Sequence, residues 1–305
     1  MKLYLAVTDY DWFRQLQADR PSEVNFWLPS PDQGFKYLDA GQPFLFKLHS
    51  PRNFVVGGGY FAGYSRLPVS MAWDAFGRSN GVASKDEFLA RIQHYRRNKQ
   101  WVADPDIGSI ILTDPFFFEE SDWIPQPIDW SSNIVRGKGY DLYSGIGAEL
   151  WQQVRASATE RKVRESQESA FDMFGNAYLQ RARLGQAAFR VLTLKNYNER
   201  CCITGENTVP VLQAAHIKPV SEDGKHGLQN GLLLRADIHI LFDKGLIGVD
   251  QDYRIRVSPS IREHYLNGKV YYEHDGEELR SLPSDKKLRP DPDLLKERMD
   301  RVFVA

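Results

Sequence analysis

Residues Cys201 to Asp250 read CCITGENTVPVLQAAHIKPVSEDGKHGLQNGLLLRADIHILFDKGLIGVD, and this stretch decides the architecture of the C-terminal half. CCIT and VLQAAHI have the composition of two short strands around a turn at Gly205 to Asn207. SEDGKHG, Ser221 to Gly227, is a loop. LQNGLLLRADIHILFDKG then carries a helical pattern, and Gly245 stands where a glycine closes a helix. The expected order is strand, strand, helix, with His216, Asn230 and His239 met in that order along it.

The wording C-x-x-TG, AAHIKP, NGLLLR and DIHxLFDKG resembles the HNH endonuclease family, whose module is the ββα-metal finger. The resemblance extends upstream to RLGQAAFRVLTLKNYNERC. It implies a phosphodiester hydrolase. That reaction needs a deprotonated water and a cation to absorb charge on the phosphate and the leaving oxygen. His216 then reads as the general base, because imidazole titrates near neutrality. Asn230 would hold His216 through a side-chain or backbone bond, and His239 would be a metal ligand. Asp243 lies four residues after His239, on the same face of a helix, and is the candidate second ligand. A hard divalent ion, Mg²⁺ or Mn²⁺, suits a His/Asp/phosphate-oxygen set. The chain departs from the family at Ala215, where many members place an Asp or His ligand just before the base. Lys218 and Arg235 flank the motif and would clamp phosphate or form surface ion pairs. His226, in the loop, reads as a bystander.

Working outward, 305 residues suit two domains. Hydrophobic residues at 42% and charged residues at 26% supply ordinary globular cores. A formal net charge of -1 means that a nucleic-acid surface must be a local patch. No apolar run has the length of a membrane span, and MKLYLAVTDYDWF lacks a signal-peptide layout. The only cysteines, the adjacent pair Cys201 and Cys202, fit core thiols in a reducing, cytoplasmic setting. Upstream of the motif, Arg181 to Arg200 carries five basic residues against one acidic, a local net charge of +4. Residues 151–180 are polar and read as a helical linker.

The first half mixes strands and helices. LYLAVT (Leu3 to Thr8), PFLFKLHS (Pro43 to Ser50) and NFVVGGGYFAGY (Asn53 to Tyr64) read as strands, with a bulge or close backbone approach at Gly57 to Gly59. SKDEFLARIQHYRRN is a helix with Ser84 at its N-cap and Glu87 completing a capping box. IGSIILTDPFFF is a buried strand ending at its proline. NFWLPS, GQPFLFKLHSP, VVGGGYF and LPVSMAWDAFGRSNG resemble EVE-like members of the PUA-like superfamily, compact barrels that hold one modified base in an aromatic pocket. The resemblance covers roughly the first 120 residues.

Reading a mark on a cytosine ring requires rotating the nucleotide out of the duplex and stacking it between aromatic faces. Trp27, Trp73, Tyr60 and Phe61 are the pocket candidates. Asp9 or Asp39 would read the amino edge, and Lys47, His49 and Ser50 would contact phosphate or the base edge. The expected whole is α+β, in three parts. Residues 1–150 form a PUA-like (EVE) β-barrel reader with flanking helices, 151–180 the helical linker, and 181–305 a ββα-metal nuclease domain. The two resemblances together imply a modification-dependent restriction endonuclease acting on double-stranded DNA that bears methyl- or hydroxymethylcytosine. One finger cuts one strand, so double-strand cleavage implies a homodimer. The alternatives are a nicking nuclease indifferent to modification and a non-enzymatic reader. IREHYLNGKVYYEHDGEEL reads as a hairpin turning at Asn267 and Gly268, and PDPDLLKERMDRVF as a closing helix.

Overall fold

The first strand, β1 (Lys2–Thr8), sends alternate side chains into two different cores: Tyr4 and Ala6 into one, Leu3 and Leu5 into the other. Both faces of its sheet are therefore covered, and the strands read as nearly continuous apolar runs. The computed structural model describes residues 1–31, 34–96, 100–165, 184–222 and 227–304. The chain divides into two units, Met1–Ala188 and Phe189–Ala305.

The first unit continues with α1 (Tyr10–Asp19), β2 (Glu23–Leu28), β3 (Pro43–Leu48), β4 (Phe54–Pro68), α2 (Val69–Phe76) and α3 (Lys85–Tyr95). β5 (Asp106–Phe117), β6 (Ile124–Pro125), β7 (Gly137–Asp141) and α4 (Gly145–Glu165) complete it. The strand order is β2-β5-β4-β3-β1-β7, with β6 added against β4. β1 and β3 run parallel, and the other pairs are antiparallel. A closed barrel was expected. Among the described residues nothing pairs β2 with β7, so the sheet is open. One face packs Phe13 of α1 against Phe26, Phe44, Phe46 and Phe117. The other packs Leu150, Trp151 and Val154 of α4 against Leu45, Tyr60 and Phe116. Burying each such phenylalanine contributes about 1.5–3 kcal/mol.

Local signals act as read in several places. Ser84 Oγ accepts from the Glu87 N–H at 3.2 Å, and Glu87 Oε2 accepts from the Ala83 N–H at 2.9 Å, so α3 starts on a capping box shifted by one residue. The β4–β5 register shifts between Gly58 and Tyr60. A Cβ on Gly58 would lie 2.7 Å from the Phe44 carbonyl oxygen, so the strands approach too closely there for any other residue. β5 continues through Pro115, contrary to expectation, because Asp114 turns to φ +46 and Phe116 and Phe117 stay paired to β4. Glu23, buried at the start of β2, accepts from the backbone N–H groups of Gly185, Ala187 and Ala188 at 2.9–3.0 Å. Of the expected linker, residues 151–165 belong to α4, and 166–180 lie outside the described residues.

The second unit opens within α5 (Gln186–Asn196), whose Val191 and Leu192 are buried. β8 (Leu212–His216) and β9 (Gly231–Arg235) form an antiparallel pair, followed directly by α6 (Ala236–Asp243). Here the expected boundaries move. CCIT is not a strand: the Gly205 N–H donates to the Cys201 carbonyl and the Thr204 N–H to Cys201 Sγ, which closes a turn. GLLLR is the second strand and not the start of the helix. Its three leucines suit a helix by propensity, but all are 0% exposed, and pairing with β8 overrides that preference.

Gly245 has φ +69 just past α6 and donates to the Phe242 carbonyl, so the helix ends where the glycine predicts. β10 (Ile247–Val249) pairs with β11 (Ile255–Val257). The expected hairpin over 261–279 is instead α7 (Ser260–Tyr265) and α8 (Lys269–Tyr272). Gly268, with φ +105, does break the chain, but bonds such as Glu263 N–H to the Pro259 carbonyl make its upstream flank helical. α9 (Pro292–Arg301) closes the unit, capped by Asp291 with Pro292 in its first turn. Cys201 and Cys202 are fully buried free thiols, and burial pushes the Cys202 thiol well up. No described helix is long and apolar enough to cross a membrane.

Candidate active site

His216 is the last residue of β8 and stands opposite Gly231 in the register. Its ring stacks on Phe189, with centroids 4.0 Å apart and planes 11° from parallel. A Cβ at Gly231 would come within 2.9 Å of two carbons of the Phe189 ring. The glycine of NGLLLR therefore makes room for the ring that lies flat against His216. This contact was not legible beforehand, since Phe189 reads only as an apolar residue in an upstream helix.

Asn230 is 3% exposed and grips the chain just beyond His216. The Lys218 N–H donates to its Oδ1 at 2.8 Å, and its Nδ2 donates to the Lys218 carbonyl at 2.9 Å. Its own carbonyl accepts from the Ile217 N–H at 2.9 Å. The peptides on either side of Ile217 are thus held by one residue.

His239 and Asp243 lie on one face of α6, with Nε2 and Oδ2 3.4 Å apart. Gln213, on β8, meets the other ring nitrogen: Nδ1 lies 2.7 Å from Gln213 Oε1. With that oxygen accepting, Nδ1 donates to Gln213, and Nε2 is the ring atom that faces Asp243. A partner that fixes the tautomer of a metal-binding histidine is the usual accompaniment of such a ligand. The donor chemistry fits a hard divalent ion, which keeps water and substrate oxygens beside one or two protein ligands. Among the described residues no group of three His, Cys, Asp or Glu comes together. Ala215 is fully buried and offers no donor atom. Gln213 was missed in the sequence, where only its place three residues before His216 marks it.

Both cations beside the motif have acid partners. Lys218 Nζ lies 2.9 Å from Glu297 Oε1, which Arg301 also meets at 3.1 Å. Arg235 pairs with Asp237 through two contacts, at 2.6 and 2.8 Å, and its guanidinium holds the Asp237 carboxyl below the usual carboxylate range. Each cation keeps N–H donors beyond those its acid partner takes, so a phosphate contact would compete with that partner or share the cation with it. His226 lies outside the described residues.

In the first unit several expectations are corrected. Lys47 is 2% exposed; its Nζ donates to the Leu48 carbonyl and to Asn53 Oδ1 and sits over the Trp130 ring, so it cannot reach a phosphate. Burial pushes its ammonium pKa down. Tyr60 at 0% and Phe61 at 6% exposure are core rings, filled against neighbours on both sheet faces, with no surface for a base. Trp27 and Trp73 are half-buried. The Trp27 indole N–H donates to the Asn80 carbonyl at 2.9 Å, and its ring lies 6.3 Å from that of Tyr95. Asp39 is exposed and accepts from Gln42 Nε2 at 3.2 Å. Sequence reading missed Tyr95, which donates to Asp9 Oδ2 at 3.1 Å while His49 Nε2 lies 3.5 Å from Asp9 Oδ1. The parallel pairing of Thr8 with Leu48 makes Asp9 and His49 neighbours, a relation that only strand pairing reveals.

The ββα order, the buried asparagine and the helix-borne histidine now stand together. Residues 201–250 match the HNH endonuclease family model. The chain thus carries an HNH endonuclease domain, and the match includes His216, Asn230, His239 and Asp243. No curated protein matches the chain. Among solved structures, the first unit is similar to ASCH from Zymomonas mobilis at 10% identity, over 37% of this chain and 67% of that one, with a TM-score of 0.27. A point mutant of that protein gives 11% identity over 38% and 76%, also at 0.27.

Proposed function

We propose that the protein is a metal-dependent DNA endonuclease directed to DNA bearing modified cytosine, acting as a homodimer. The observation that carries the nuclease reading is the HNH domain itself, with His216 held at a strand end by Phe189 and Asn230, and His239 facing Asp243 from α6. His216 takes the proton of the attacking water. His239 and Asp243 would hold Mg²⁺ or Mn²⁺, which would supply positive charge to the phosphate when bound. Lys218 and Arg235 contact the DNA backbone.

Selection of modified cytosine is assigned to the first unit. Trp27 and Trp73 keep partial exposure there, and Asp39 and Asp9 offer carboxylates to an amino edge. Stacking of a flipped base contributes about 1–3 kcal/mol, which offsets the few kcal/mol of unstacking. Two HNH domains, one per protomer, cut both strands.

The test is digestion of methylated and unmethylated copies of one plasmid with Mg²⁺ or Mn²⁺. Faster cutting of the methylated copy is the expected result. Equal cutting refutes modification dependence, and no cutting of either refutes the nuclease. His216→Ala should abolish cleavage and leave DNA binding intact; full-rate cleavage by that variant refutes the base assignment.

A further inference from the structure

The last helix carries a residue that neither motif includes. Arg298 of α9 has a side chain only 9% exposed, with its guanidinium 3.9 Å from the Phe242 ring centroid. One terminal nitrogen donates to the Ile217 carbonyl at 2.9 Å, the other to the Phe242 carbonyl at 2.7 Å. The second nitrogen also lies 3.7 Å from Asp243 Oδ1. Ile217 directly follows His216, and Phe242 directly precedes Asp243 on the helix that bears His239.

We propose that Arg298 is a positioning residue for the HNH site, setting the distance between the strand end that bears His216 and the helix that bears His239 and Asp243. The inference rests on the nuclease reading above. A planar guanidinium presents its donors in a fixed fork, so two carbonyls bonded to one Arg298 are held at a fixed separation. The Phe242 ring beneath it fixes the plane of the fork. Lysine keeps the charge but offers a single nitrogen on a flexible stem, which cannot impose that spacing. Asn230 acts on the same Ile217 region from the side of β9. The strand end is thus fixed from two elements, and the helix is tied to it by Arg298 alone of these two.

The experiment compares the full-length protein with R298K. A displacement of about 1 Å between catalytic groups costs on the order of 100-fold in rate. At saturating Mn²⁺ the single-turnover cleavage rate of R298K should therefore fall about 100-fold. Its DNA affinity should stay within about threefold, since Arg298 is 9% exposed and bonds to backbone carbonyls of its own chain. The imidazole ¹⁵N resonances of His216 and His239 should move in the metal-free variant, which reads geometry without activity. In the wild type the Arg298 guanidinium protons should exchange slowly with water.

R298K cleaving within about threefold of wild type, with both imidazoles unmoved, overturns the proposal. Fast-exchanging guanidinium protons in the wild type overturn it even if R298K does not fold. Wild-type protein that leaves plasmid uncut refutes the nuclease reading and any catalytic meaning of Arg298 with it. A competent wild type with a competent R298K refutes the positioning role alone.

Discussion

Replacing Asn230 with alanine tests the geometry that joins the two halves of the HNH motif. The substitution deletes two hydrogen bonds to the Lys218 backbone, at 2.8 and 2.9 Å. Each is worth about 0.5–1.5 kcal/mol net, so the local loss is about 1–3 kcal/mol. Lys218 is half-buried, so water satisfies part of what is freed, which places the loss near 2 kcal/mol. That corresponds to about a 30-fold rise in local opening. Amide hydrogen exchange at Ile217 and Lys218 reads it directly, and protection there should fall about 30-fold with β1 to β5 unchanged. Cleavage should fall at least about 100-fold, because the strand end bearing His216 is no longer fixed. Asn230→Asp keeps the acceptor for the Lys218 N–H but cannot donate to its carbonyl, so it should lose about 1 kcal/mol and lower protection about fivefold. Unchanged protection at Ile217 and Lys218 together with intact cleavage would refute the reasoning.

Gln213→Ala should leave the fold intact but raise the Mn²⁺ concentration needed for half-maximal cleavage by about 10- to 100-fold, because the His239 ring loses its orienting partner. A metal titration of cleavage checks this, and an unchanged midpoint contradicts it. Glu23 supplies a pH test. Burial raises its carboxyl above the ordinary range in the folded chain despite three backbone donors. A raised folded value favours folding below the ordinary glutamate value of about 4.3, and that contribution is lost as pH rises through the folded value. The melting temperature of the wild type minus that of Glu23→Gln should therefore fall as pH rises above that range. A flat or rising difference curve shows that Glu23 does not titrate as described.

Much of the site was legible because its chemistry is written in contiguous words. AAHIKP, NGLLLR and DIHxLFDKG fix His216, Asn230, His239 and Asp243, and the i, i+4 spacing already puts the last two on one helix face. Gly245 announced the end of that helix, and Ser84 and Glu87 the start of α3. Among the readings that the structure changes, three share related reasons. GLLLR looked helical because consecutive leucines lack a distinguishing period, and the pairing with β8 that makes it a strand is a tertiary fact. Asn267 and Gly268 marked a break without saying what flanks it. Tyr60, Phe61 and Lys47 were credited with surface duties that residue type alone allows and burial forbids.

The sequence by itself determined which residues are proposed to carry the chemistry, because residue type, order and helical spacing are local properties. Only the tertiary structure decided what holds them. Phe189 lies 27 residues before His216 and Arg298 lies 81 after Ile217, and both meet the site through packing that no local pattern encodes. The openness of the first unit's sheet was settled the same way, since whether two edge strands meet depends on the twist and coverage of the whole sheet.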